Sequence, residues 1–187
     1  MKNLALFLLF GLVATLCDLV WVRVGALTYL HPQPWGQAWW TPLLFGVMGV
    51  VAVNASAILT RLLSKEIPTT TEAPVLDAFV AAALFVASYL ACGLFDGTPE
   101  WIAAVLAAAW VLRMVIEALV GCRPALSLII CIALCVAGVA GEALLVAAGQ
   151  MSYAHPSFMG LPLWLPALWL HAGFLVRHVA RAWFYGR

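Results

Sequence analysis

Four ionisable residues, Asp18, Arg113, Glu117 and Glu142, stand inside long apolar runs. At membrane depth such a group raises the free energy of insertion by ~2.5–3.5 kcal/mol, so each needs a partner or a task. Asp18 and Glu142 have the chemistry of a general acid and base if they converge on one pocket. The same two carboxyls can instead accept hydrogen bonds from Tyr29 or Tyr153, pair with Arg23, or line the polar tip of an apolar cavity. Arg113 and Glu117 are four residues apart, the spacing of an ion pair on one helical face. Asp96, in Asp96-Gly97-Thr98-Pro99-Glu100, reads as a turn-capping side chain. Tyr29, His31, Tyr153 and His155 sit in two Tyr-x-His-Pro motifs, and Trp40 and Trp164 in two Trp-x-Pro motifs. Their amphipathic rings suit the membrane–water interface, as anchors or as contacts to a ligand headgroup.

The common signatures of catalysis are missing. The sequence has no His-Glu-x-x-His, no Gly-x-Ser-x-Gly and no Gly-rich phosphate loop. His171 and His178 are seven apart, too far for joint ligation of a metal on successive turns. The cysteines, Cys17, Cys92, Cys122, Cys131 and Cys135, form no Cys-x-x-Cys pair and read as small buried hydrophobes. No metal and no cofactor is therefore expected.

These side chains have to be positioned by elements that live in lipid. The chain of 187 residues is 66% hydrophobic and 9% charged, with mean hydropathy +1.06. A soluble domain carries roughly 25% charged residues, so this composition describes an all-α, polytopic membrane protein. A formal net charge of +1 offers no basic patch for nucleic acid. A bilayer core of ~30 Å takes about 20 apolar residues as helix. Six segments meet that requirement: roughly 4–27, 41–63, 76–95, 100–120, 125–149 and 162–184. They form one transmembrane domain, 1–187. Pro and Gly punctuate each break, and the His-Pro pairs are expected to end spans one and five. With six spans, Lys2, Arg61, Lys65, Arg123, Arg177, Arg181 and Arg187 collect on the side of the termini, against Arg23 on the other. The positive-inside rule then makes both termini cytosolic. Span one resembles a signal peptide but lacks an Ala-x-Ala cleavage site, and it is expected to stay.

A shift of 124 residues lays spans one and two on spans five and six without a gap. Asp18 then meets Glu142, Gly25 meets Gly149, Tyr29-x-His31-Pro32 meets Tyr153-x-His155-Pro156, and Trp40-x-Pro42 meets Trp164-x-Pro166. Ten identities fall within residues 18–49. Four spans separate the copies, so the repeat is parallel, about an axis near the membrane normal. Spans three and four, between the copies, are rich in alanine, which allows close helix approach and makes them a candidate partner or homo-oligomer surface.

The order of these motifs resembles the Insig family, the sterol-response proteins of the endoplasmic reticulum. There Tyr-Thr-Ser-Pro-Asp-Phe is followed by Ser-Trp-Leu-Pro; here Tyr153-Ala-His-Pro156-Ser-Phe158 is followed by Leu163-Trp164-Leu165-Pro166. Ala38-Trp39-Trp40-Thr41-Pro42 is similar to the opening of that family's second span, and Asp96 matches the functional aspartate that ends its third. The chain lacks the family's N-terminal extension and strongly basic second connection, as a minimal or prokaryotic homologue would. The resemblance implies a non-enzymatic membrane protein that binds a sterol- or diacylglycerol-like lipid and partner membrane helices. On this reading Asp18, Tyr29, His31, Trp40, Glu142, Tyr153, His155 and Trp164 are the expected lipid-binding residues, and Asp96, Arg113 and Glu117 the expected partner or conformational residues. It implies the plasma membrane in a prokaryote and the endoplasmic reticulum in a eukaryote. The alternative is a membrane-embedded enzyme acting on an isoprenoid or lipid, with Asp18 and Glu142 as acid and base; Pro162–Trp169 is similar to a turn of some carotenoid-modifying membrane proteins.

Overall fold

The computed structural model describes residues 1–63, 74–120 and 123–185. The connection at 64–73 with Lys65, the pair Gly121-Cys122 and the terminal Arg187 lie outside the described residues. Each of the six expected segments is a helix: α1 (Lys2–Val24), α2 (Thr41–Leu63), α3 (Pro74–Leu94), α4 (Pro99–Leu119), α5 (Pro124–Ala147) and α6 (Leu165–Tyr185). Two short strands follow the first and fifth helices, β1 (Leu27–Tyr29) and β2 (Met151–Tyr153). Pro74, Pro99 and Pro124 open their helices at the first position, where the missing N–H goes unmissed.

Helices α1 and α5 do not end at the His-Pro pairs. They end earlier, at glycines that take the left-handed conformation. Gly25 has φ 80° and Gly149 has φ 66°. The N–H of Gly25 bonds to Val22 and that of Ala26 to Trp21; likewise Gly149 bonds to Val146 and Gln150 to Leu145. This Schellman pattern satisfies the last carbonyls and turns the chain before proline is reached. The residues so released become β1 and β2, which pair antiparallel in the register Leu27↔Tyr153, Thr28↔Ser152, Tyr29↔Met151. Each pair sums to the same midpoint, so the 124-residue shift maps the ribbon onto itself. Trp35 and Met159, also related by that shift, are the non-glycine residues with positive φ among those described, at 76° and 48°.

Five helices, α1 to α5, are long and apolar enough to cross a membrane. Helix α6 is as long as α4 but carries His171, Arg177, His178 and Arg181. Packed against α2, α3, α4 and α5, it is the central helix, and every residue from 171 to 177 is buried. A helix lined by protein rather than lipid has polar partners within reach, which explains its composition. The larger core gathers at the ribbon end around Trp21, Tyr89 and Trp164; a smaller one lies toward the termini around Leu6, Val53 and Val176.

Small residues set the helix spacing where hydrophobic force between helices is weak. Gly173 of α6 faces the backbone of α5 so closely that a Cβ there would lie 2.9 Å from the Cys131 nitrogen. At Gly141 of α5 an added Cβ meets nothing within 4 Å. Gly173→Val should therefore destabilise the protein by about 1–3 kcal/mol through overpacking. Gly141→Ala should be neutral or stabilise by up to ~1 kcal/mol through helix propensity. Thermal unfolding of both variants in mild detergent reads the contrast.

Candidate functional site

A cavity of about 420 Å³ lies at the ribbon end, between α1 and α2 on one side and α5 on the other. Its walls are mostly apolar, with Leu44, Phe45 and Met48 from the first turns of α2 and Leu144 and Leu145 from α5. Leu144 and Gly141 are exposed and Phe45 and Met48 partly so, which makes the gap between α2 and α5 the cavity's mouth.

The polar end carries both carboxyls. Asp18 stands six residues before the end of α1 and Glu142 five before the end of α5, so each lies roughly 8–9 Å inside its helix terminus. Asp18 accepts hydrogen bonds from the Tyr29 hydroxyl at 2.5 Å, the Tyr89 hydroxyl at 3.2 Å and the Gln37 amide at 3.4 Å. Glu142 accepts from the Tyr153 hydroxyl and from the Trp169 indole N–H at 2.8 Å. Tyr29 and Tyr153, each eleven residues after its carboxylate, reach back because Gly25 and Gly149 reverse the chain between them. Burial pushes both phenols well above their ordinary pKa, with the neighbouring carboxyls adding to the shift, so each remains a neutral O–H donor. Trp21 braces the floor: its indole donates to the Tyr89 carbonyl at 2.7 Å, stacks on the Tyr89 ring and meets Trp164 edge-on.

Five of the residues read from the sequence, Asp18, Tyr29, Trp40, Glu142 and Tyr153, line this cavity. His155 and Trp164 do not. They bind Asp96 instead: the Trp164 indole donates to it at 3.0 Å, and His155 Nδ1 lies 2.8 Å away. Asp96 is thus no turn cap. It is buried beneath the loop that precedes α6 and ties that loop to the α3–α4 turn, while the Thr98 backbone N–H and hydroxyl close the turn on Phe95. His31 is exposed.

A second polar centre lies toward the termini, and there the expected Arg113–Glu117 pair is replaced. Glu117 is held by Arg177 and Ser127, and by His178 at 3.1 Å. Arg177 also donates to Ser127. The Arg113 guanidinium lies 4.2 Å from the centre of the Phe174 ring. Glu117 faces the buried central helix, where a cation on α6 lies closer than one four residues along α4.

Sequence reasoning missed Tyr89, Gln37 and Trp169 at the cavity and Ser127, Arg177 and His178 around Glu117. Tyr89 carried a signal, as the tyrosine placed well inside a span. The others depend on which helices become neighbours. Among the described residues, no three His, Cys, Asp or Glu side chains come together as a metal site. Cys17, Cys92 and Cys131 are buried and Cys135 partly so; Cys122 lies outside the described residues.

No family model and no curated protein matches this sequence. Two solved structures share its fold. One is the mycobacterial Insig homologue MvINS from Mycobacterium vanbaalenii, with TM-score 0.75 and 23% identity, covering 96% of this chain and 92% of that one. The other is a cross-linked trimer of a cysteine variant of MvINS, with TM-score 0.76 and 23% identity over 97% and 93% of the two chains. The fold is therefore Insig-like.

The partners of Glu117 and Arg113 give a direct test. Removing a single member of a buried ion pair costs about 3–5 kcal/mol. Glu117→Gln should pay that penalty, whereas Arg113→Gln should lose about 0.5–2 kcal/mol of cation–π attraction. A double-mutant cycle by chemical unfolding should give Glu117 a coupling of about 0.5–3 kcal/mol with Arg177, larger than its coupling with Arg113.

Proposed function

We propose that this Insig-like membrane protein binds a lipid in the cavity between α2 and α5. The observation that carries the reading is the cavity's own polarity. Its walls are apolar, its mouth opens between α2 and α5, and its inner end presents Asp18, Glu142 and their tyrosines. A lipid tail replaces other lipid at the walls, and a polar head meets fixed hydrogen-bonding groups, the usual division of labour in a ligand pocket. A sterol- or diacylglycerol-like molecule has that form. Tyr29, Trp40 and Tyr153 contact its head, whereas Trp164 and His155 hold the loop before α6 through Asp96.

In this reading α6 also crosses the membrane, as a sixth span shielded by the other helices. The termini are cytosolic, and the ribbon lies on the opposite face. Spans one and two and spans five and six are two copies of one unit, related by the approximate two-fold that the ribbon's register supports. Occupancy selects among packings of α3 and α4, whose outward faces meet partner helices or further copies of the chain. MvINS crystallised as a cross-linked trimer, which supports homo-oligomers. Asp96 and the Glu117–Arg177 cluster transmit the change, because they tether the α3–α4 hairpin and α4 to α6.

One observation favours a second reading. Asp18 and Glu142 line the same cavity, as an acid–base pair acting on an isoprenoid or lipid would. Against it, both oxygens of each carboxyl are already engaged by fixed donors, which favours holding a ligand over moving protons.

Native mass spectrometry of protein purified in mild detergent should show a co-purified lipid. Gly141→Phe, which places a ring at the open mouth, should remove most of that lipid while leaving the protein folded. A clean ligand-free mass across several detergents would overturn the binding role.

A further inference from the structure

Among the described residues, the carboxyls of Asp18, Asp96, Glu117 and Glu142 divide into two kinds. Glu117 meets Arg177 and His178, and Asp96 meets His155. Asp18 and Glu142 meet only neutral donors: phenols, an amide and an indole. Among the described residues, no Lys, Arg or His lines the cavity they share.

An indole N–H and an amide N–H donate and do not accept, and both oxygens of each carboxyl receive a donor. Hydrogen bonds of this kind favour the charged form of a carboxyl. Hydrocarbon penalises a charge that lacks a counter-ion. The cavity therefore offers two carboxyls as acceptors, and among the described residues no cation lines its wall to meet them.

We propose that the cavity recognises a lipid bearing a protonated amine, its ammonium held by Asp18 and Glu142 and its chain lying along Leu44, Phe45 and Leu145. This rests on the lipid-binding reading above and specifies the head. An ammonium has three N–H donors and no acceptor, the complement of two carboxylates. Trp40 and Trp169 line the same end. A head carrying phosphate or carboxylate meets like charge and is rejected.

Hexadecylamine and hexadecanol, matched in chain, are the probes. Their affinities are measured by native mass spectrometry for wild-type protein in maltoside micelles, for Glu142→Gln and for Gly141→Phe. The amine should bind wild-type protein at least about tenfold more tightly than the alcohol, an advantage of ~1.4 kcal/mol, and the ratio should collapse in Glu142→Gln. Equal affinities that both vanish in Gly141→Phe would overturn the amine proposal and leave the lipid reading standing. An amine preference that survives Glu142→Gln would also overturn it. If Gly141→Phe changes neither affinity, both readings fall. If Glu142→Gln does not fold, the wild-type ratio, with its sensitivity to Gly141→Phe, decides alone.

Discussion

Every polar group that enters the hydrocarbon must find its partner within the protein. Water is absent there, and an unpaired donor or acceptor costs several kcal/mol. Three clusters answer that constraint, and between them they organise the molecule. Asp18 and Glu142, each with its tyrosine, fix the ribbon against α1 and α5. Asp96 fixes the α3–α4 turn to the loop before α6. Glu117 fixes α4 and α5 to the central helix through Arg177 and Ser127.

The clusters differ in how completely they are closed. The Asp96 and Glu117 groups have cationic or potentially cationic neighbours from the chain itself and act as ties. The cavity carboxyls sit beside apolar walls, and among the described residues their hydrogen bonds come from neutral groups. The fold ties its inward-facing carboxyls to basic side chains in two places and leaves them among neutral donors in the third. This separation between tether and site also explains why motifs with near-identical spelling do different work. Trp40 borders the cavity, and its repeat mate Trp164 is turned toward Asp96.

The helical elements were legible because hydropathy and proline position are local properties. The segments read at 41–63 and 100–120 lie within one residue of α2 and α4 at each end. The ends of α1 and α5 were misplaced because glycine in the left-handed region stops a helix before proline has to, and the two signals lay only a few residues apart. The tyrosine–carboxylate contacts were half visible. Each spans eleven residues around a tight turn, so local geometry carries them. The contacts of Tyr89, Trp169 and Arg177 span distant helices and depend on how each helix is rotated about its axis and which others it meets. The misassigned Arg113–Glu117 pair has the same origin: spacing along one helix was taken as proximity, and the enclosed α6 supplied a closer cation.

The β1–β2 ribbon has a mechanical consequence. Its hydrogen bonds join the first and last thirds of the chain at one end only, beside the cavity. The same two thirds meet again toward the termini, where Leu6 of α1 and Val53 of α2 pack with Val176 and Ala180 of α6. Clasped at both ends, they leave the cavity's width to the stretch in between.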